Sequence, residues 1–209
     1  KGIEEHHLFH SMDLGLSAGI RNFRLYIMVG LPFEEEEDID AIIDLAERLK
    51  DYMEARGSKG TLTLSVNPFI PKPFTPFQWE PMADRKTVEK RLKRLEKTLR
   101  RRKHVVVNIE SPKEAYIQGV LSRGDRRVGE ALMRAHELGG SKAFKRALKE
   151  LRLDPAFYLY RKRPESEVFP WERLDMGFKK SYLYEELKRA EALKPTIPCF
   201  EGCHRCGVC

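Results

Sequence analysis

The cysteines are the most informative chemical groups of this chain, because all four lie within its last eleven residues. They are Cys199, Cys203, Cys206 and Cys209, in a C-x3-C-x2-C-x2-C array. A secreted disulfide framework spreads its cysteines along the chain, whereas thiolates this close together can converge on one metal centre. The array therefore predicts a metal or cluster site in a reducing compartment, and we expect a cytoplasmic protein.

The spacing of these cysteines bears on which metal they bind. A structural zinc site usually combines two C-x2-C knuckles that are separated by a longer loop. Three ligands at short spacing favour a [4Fe–4S] cluster, because one tight loop can reach three of its irons and the fourth cysteine can complete the site. The sequence leaves zinc and an unmetallated redox tail open as alternatives.

A second candidate site follows an apolar run at residues 25–29, which is typical of a strand buried on both faces of a parallel sheet. Gly30, Leu31 and Pro32 end this strand, and an acidic segment then leads into a helix with apolar residues at helical spacing. In α/β folds ligands bind at the carboxyl ends of the strands. The turn at residues 30–32 is therefore predicted to face a ligand.

Further elements must position this turn. Residues 61–66 alternate as a strand does and run into a loop at 67–79 with four prolines and four aromatic residues, which needs something to cover or bind. A long basic helix at 84–103 and a third strand at 105–109 follow. This order predicts an α/β fold with a parallel sheet and helical crossovers.

Beyond this sheet the sequence predicts short helices at 112–121, 126–138, 142–152 and 179–192. Asp125 is a candidate N-cap, and its arginine neighbours either lie on the first helical turn or form a clamp for an anionic substrate. We expect three parts: an α/β part at 1–110, a helical extension at 111–195 and the cysteine tail at 196–209.

The net charge of +7 comes from 39 basic and 32 acidic residues that are interleaved along the chain. A solvated surface is the simpler interpretation, but the helix at 84–103 could also contact RNA or DNA. No apolar run approaches the roughly 20 residues of a membrane span, so we expect no membrane partner.

Several segments together resemble the radical S-adenosylmethionine (SAM) superfamily. LYIMVGLPFEEEEDIDAIIDLAERL resembles the fifth strand and following helix of its barrel, and TLTLSVNPFIPKPFTPFQWEPM resembles the sixth strand and its exit loop. With VLSRGDRRVGEAL, FPWERLDMG and the final cysteine array, the match resembles the subgroup of iron–sulfur oxidoreductases with a cobalamin-binding domain. It covers nearly the whole chain.

The resemblance implies the C-terminal part of a partial (β/α) radical-SAM barrel, with a helical extension and a cysteine-rich tail. Met28, Gly30, Leu31 and Pro32 would border the adenine of SAM, and Asn67, Phe69 and Pro71 would border adenine or substrate. Tyr26 replaces a glycine of the family's pattern, and Phe33 stands where the pattern has an acid, with Glu34 one residue later.

In function, the resemblance implies reductive cleavage of SAM by a [4Fe–4S] cluster to a 5′-deoxyadenosyl radical, with an electron donor and an unknown, possibly anionic or RNA, substrate. The catalytic cysteine triad would precede Lys1, so the cysteine tail would be an auxiliary cluster or zinc site. Whether cobalamin is used stays open. The alternative is a non-catalytic, metal-stabilised nucleic-acid-binding module.

Overall fold

The fold, described by a computed structural model for residues 2–208, combines a small parallel sheet with many helices. The strands are β1 (Phe23–Val29), β2 (Leu62–Pro68) and β3 (Val105–Ile109). The helices are α1 (Glu5–Ser17), α2 (Glu36–Ala55), α3 (Arg85–Leu99), α4 (Pro112–Arg123), α5 (Arg126–Glu137), α6 (Phe144–Glu150), α7 (Pro155–Leu159) and α8 (Lys180–Glu191). Short 3₁₀ turns lie at Pro76–Trp79, Ser141–Ala143 and Pro170–Arg173.

The sheet confirms the expected α/β class. Its strands are in the order β1-β2-β3, and both pairs are parallel. Helix α2 connects β1 to β2, and α3 lies between β2 and β3 in the sequence, as helical crossovers between parallel strands require. The three predicted strands are all present.

The chain divides into two compact units. The first contains residues 2–69 and 83–112, and the second contains residues 70–82 and 113–208. The predicted division at residues 110 and 195 stays a prediction.

The core of the first unit lies between the sheet and its helices. Side chains from the middle strand and from α2 and α3 are fully buried there, among them Leu64, Val66, Leu49 and Leu95. Their spacing, two along the strand and three or four along each helix, gives each element one apolar surface.

The prediction that β1 is buried on both faces is wrong. Tyr26 and Met28 are 75% and 53% exposed, while Val29 is fully buried and Leu25 and Ile27 are partly buried. The run reads as continuously apolar because tyrosine and methionine occupy outward positions where a polar residue would have revealed the alternation.

Most of the loop predicted to require a cover, residues 70–79, belongs to the second unit. Trp79 is fully buried and packs edge-on against Phe169 and Tyr184, while Phe169 stacks on Trp171. Trp171 donates its indole N–H to Gln78 at 2.8 Å. The apolar loop is thus covered by helical segments of its own unit.

Two buried arginines also hold this loop. Arg123 donates Nη1–H to the Pro71 carbonyl at 3.5 Å and Nε–H to the Tyr158 carbonyl at 2.9 Å. The Arg163 backbone N–H donates to the Trp79 carbonyl at 2.9 Å. Burial, and then the charge of Arg163, lowers the pKa of Arg123 to about 9. Arg123 therefore bonds backbone carbonyl groups in the interior of the second unit and does not form an exposed anion clamp.

No helix in residues 2–208 is both long enough and apolar enough to cross a membrane.

Candidate functional site

The exposed face of the parallel sheet is the candidate functional site. Met28 and Asn67 are register partners on β1 and β2, and both are exposed. Tyr26 pairs with Ser65, which pairs with Asn108 on β3, so polar groups lie in a row beside the apolar ones. Parallel sheets are normally covered on both faces, so an open face with mixed chemistry is unusual.

The turn at residues 30–32 lies at the carboxyl end of this face. Gly30 has φ of 89°, and a Cβ atom there would lie 3.0 Å from Val88 Cγ2 and 3.3 Å from the Ala83 Cβ. Both the positive φ and the close packing favour glycine at this position.

Glu34 fixes the conformation of this turn. Its carboxylate accepts the Gly30 N–H at 2.8 and 2.9 Å, and its side chain is only 4% exposed. Arg91 on α3 donates Nη1–H to the same carboxylate at 2.8 Å and Nη2–H to the Glu34 carbonyl at 2.9 Å. The turn is thereby attached to the helix that packs behind the sheet.

Glu36 completes this arrangement at the start of α2. Its carboxylate accepts the Arg91 Nε–H at 3.0 Å, and this hydrogen bond, followed by the nearby cations, lowers the pKa of Glu36. Glu34 and Arg91 were not predicted from the sequence as site-forming residues. The signal was present in the G-L-P-x-E spacing, because a carboxylate four residues after a turn glycine can reach back to its N–H.

The remaining predicted ligand-contact residues occupy different environments. Asn67 is exposed, and Phe69 is partly buried and donates its backbone N–H to the Val29 carbonyl at 2.8 Å. Leu31 and Pro32 are partly buried beside Gly30. Pro71 is buried and belongs to the second unit.

The cysteine tail folds as turns against the residues that immediately precede α8. The Lys179 N–H donates to the Cys206 carbonyl at 2.8 Å, and its ammonium donates to the His204 carbonyl at 3.0 Å. Gly207 has φ of 89°, and a Cβ there would lie 3.1 Å from the Gly177 carbonyl oxygen.

The described cysteines differ in exposure. Cys199 is exposed, Cys206 is partly buried and Cys203 is buried, and none of the three is in a disulfide. The Arg205 Nε–H donates to the Cys203 sulfur at 3.2 Å, and this hydrogen bond lowers the pKa of the thiol. Cys209, the fourth predicted ligand, lies outside the described residues.

The thiol set is chemically suited to a soft metal, because thiolates bind zinc and iron–sulfur clusters. Within residues 2–208, however, no three histidine, cysteine or acidic side chains lie close enough to hold a metal ion. The arrangement of the three described thiols therefore does not itself form a metal site.

Comparison with known proteins gives one informative similarity. An archaeal protein of Methanocaldococcus jannaschii, described as uncharacterized, is 33% identical over 132 residues, which is 63% of this chain and 28% of that protein. The chain thus spans less than a third of the length of this relative. No family model matches the chain, and no solved structure matches it significantly.

Proposed function

We propose that this chain is part of a radical-SAM iron–sulfur enzyme and that the exposed face of its sheet borders SAM and substrate. The observation that carries the proposal is the alignment of Met28 and Asn67 on an open parallel face, next to the turn that Glu34 holds. An open face of this kind suits the interior of a barrel whose other strands come from elsewhere in the protein.

The chemistry of the face agrees with a nucleoside ligand. Met28 offers an exposed, polarisable side chain for an aromatic base, and Asn67 and Ser65 offer hydrogen-bonding groups beside it. The Gly30 N–H is already used by Glu34, so Gly30 contributes the shape of the backbone and not a donor to the ligand.

In this superfamily a [4Fe–4S] cluster and SAM supply a 5′-deoxyadenosyl radical when a separate electron donor reduces the cluster. The residues of this chain would orient the adenosine portion and exclude water from one side of it. The cysteine tail would hold an auxiliary cluster or zinc, and the use of cobalamin stays a prediction from the resemblance.

The coding sequence upstream of Lys1 gives the first test. The proposal requires a C-x3-C-x2-C triad after an early strand, and a whole protein without such a triad would overturn it.

The second test measures SAM binding to the whole iron-loaded protein by equilibrium dialysis under anaerobic conditions. Met28→Lys should weaken binding by about tenfold or more, because the apolar contact with the aromatic base is replaced by a cation that loses hydration when the base covers it. Met133→Lys is the matched control, since Met133 is also exposed and lies on α5, which belongs to the second unit.

Both variants should keep the wild-type thermal midpoint, because both methionines are exposed. Equal SAM affinity in the two variants, or no SAM binding by the wild-type protein, would contradict the assignment of this face.

A further inference from the structure

The end of the sheet opposite the candidate site carries a group of basic side chains. It is formed by the segments that enter the three strands, at residues 18–22, 56–61 and 100–104, which we call the entry edge. Its exposed cations, the entry-edge cations, are Arg21, Lys59, Arg100, Arg101 and Lys103. They come from three separate stretches of sequence, so the sheet brings them together.

Hydrogen bonds fix these segments to one another. The Thr61 N–H donates to Asn22 Oδ1 at 2.9 Å, and the Leu62 N–H donates to the His104 carbonyl at 2.9 Å. The fully buried Lys50 donates its ammonium to the Gly60 carbonyl at 2.9 Å. The entry-edge cations therefore extend from a rigid framework.

These cations lack acidic partners. Within residues 2–208, none of the five side chains forms a hydrogen bond or ion pair. The acids of α2 at this end are already paired, since Arg102 donates to Glu54 at 2.8 Å and also pairs with Asp51. By contrast, Arg91 and Arg94 in the middle of α3 are neutralised by acids at the start of α2.

Two clefts are lined by basic side chains at or next to the entry edge. One of about 330 Å³ is lined by Arg21, Arg56, Lys59 and Ser58, among other residues. The other, of about 450 Å³, lies along the last two turns of α3 and is lined by Lys93, Lys97, Arg100 and Arg101 together with Glu96. Arg56 is already paired with Asp13 at 2.7 Å, so Arg21 and Lys59 are the available cations of the first cleft.

We propose that the entry edge binds the phosphate backbone of a nucleic-acid duplex. Its cations are arginines and lysines, which recognise phosphates, and they are distributed over three strand entries that together span about 10 Å. The entry edge contains no Phe, Tyr or Trp on which an unpaired base could stack, so backbone contact is favoured over single-strand binding. RNA and DNA duplexes share this phosphate chemistry.

The test measures binding of fluorescently labelled RNA and DNA duplexes of equal sequence to the 209-residue chain by anisotropy, over a series of salt concentrations. The logarithm of the association constant should fall linearly with the logarithm of salt concentration. The quadruple variant Arg21→Gln, Lys59→Gln, Arg100→Gln, Arg101→Gln should reduce the slope by about 3 to 4 and the affinity by about 100-fold or more at 0.1 M salt.

A matched control removes the same charge elsewhere. Lys113→Gln, Arg126→Gln, Lys142→Gln and Lys149→Gln neutralise four exposed cations of the second unit. This control should bind within about threefold of wild type at 0.1 M salt, since its substitutions leave every entry-edge cation in place and salt screens general charge effects. The thermal midpoints of both variants check that folding is retained.

Equal losses in the two quadruple variants would overturn the proposal, because net charge alone would then explain the binding. Absence of duplex binding, or stronger binding to anionic phospholipid vesicles than to duplexes, would also overturn it. A difference between the RNA and DNA arms identifies which duplex the entry edge prefers.

Discussion

At the scale of single residues, Glu34 is the side chain on which the candidate site depends most. Its carboxylate joins the turn after β1 to Arg91 on α3 and so holds the backbone of this turn in place. The turn lies next to Met28 and Asn67, and its geometry therefore determines the shape of the open face.

We expect Glu34→Ala to lower the free energy of unfolding by about 2–3 kcal/mol, because the Gly30 N–H loses its acceptor and Arg91 loses one of two acidic partners. Urea denaturation measures the change. Glu37→Ala is the control, since Glu37 is exposed on the first turn of α2, and it should cost less than about 1 kcal/mol. Equal costs would show that Glu34 is not the residue that holds the turn.

The prediction that Asp125 caps a helix is confirmed. Its carboxylate accepts the Arg127 backbone N–H at 3.0 Å at the start of α5. The Arg127 side chain also bonds this carboxylate and lowers the pKa of Asp125. A lowered pKa means that the ionised carboxylate stabilises the fold above pH about 4 and that this contribution is lost as the pH falls below that value.

Asp125→Asn should therefore lower the thermal midpoint by a few degrees at pH 7, because asparagine keeps the cap but not the ion pair with Arg127. The difference from wild type should shrink between pH 4 and pH 2, where the wild-type carboxyl group becomes protonated. Thermal denaturation across this range measures it, and a difference that does not change with pH would contradict the ion-pair explanation.

At the scale of elements, the close approach of β1 and β2 at their entry depends on Gly60. A Cβ atom there would lie 1.6 Å from the Arg21 carbonyl oxygen, so the backbones could not keep their present spacing. This contact holds together the segments that carry Arg21 and Lys59, two of the entry-edge cations.

Gly60→Ala should destabilise the protein by about 2 kcal/mol or more, because the clash is with backbone and not with a flexible side chain. Gly129→Ala on α5 is the control, since a Cβ there meets nothing within 4 Å. That control should be neutral or stabilise the protein by up to about 1 kcal/mol. Chemical denaturation of both variants gives the comparison, and a neutral Gly60→Ala would mean that the strand entries adjust freely.

At the scale of the whole molecule, the sheet and the cysteine tail lie in different compact units. A metal in the tail would therefore stabilise the second unit in particular, since binding energy is added only to the unit that contains the ligands. Unfolding followed separately in each unit can detect such a difference.

We expect the anaerobically purified 209-residue chain to contain iron and acid-labile sulfide and to show visible absorption that a chelator removes. Removing the metal should lower the thermal midpoint of the second unit while the first unit is unchanged. Cys203→Ser should abolish metal binding, whereas Arg205→Ala should retain it, since arginine is not a metal ligand. Colourless protein with bound zinc would exclude the iron–sulfur interpretation, and metal-free protein would exclude both.

Local sequence patterns determined a large part of the fold. Strand alternation, helical spacing and the Asp125 cap depend on neighbouring residues, so the three strands, their parallel class and most helices could be predicted without tertiary contacts. The short helix α7 was missed, because five residues are too few for a helical period to be recognised.

Only the tertiary structure decided which side chains are buried and which distant residues are paired. The apolar run of β1 gave no sign that Tyr26 and Met28 are exposed, because burial depends on whether another layer covers that face. Likewise, the pairing of Glu34 with Arg91 joins residues 57 positions apart, and the entry-edge cations come from three separate segments. The sequence by itself determined the strand, the turn and the clustered thiols, since these depend on local spacing; the open face and its supports required the packing of distant segments.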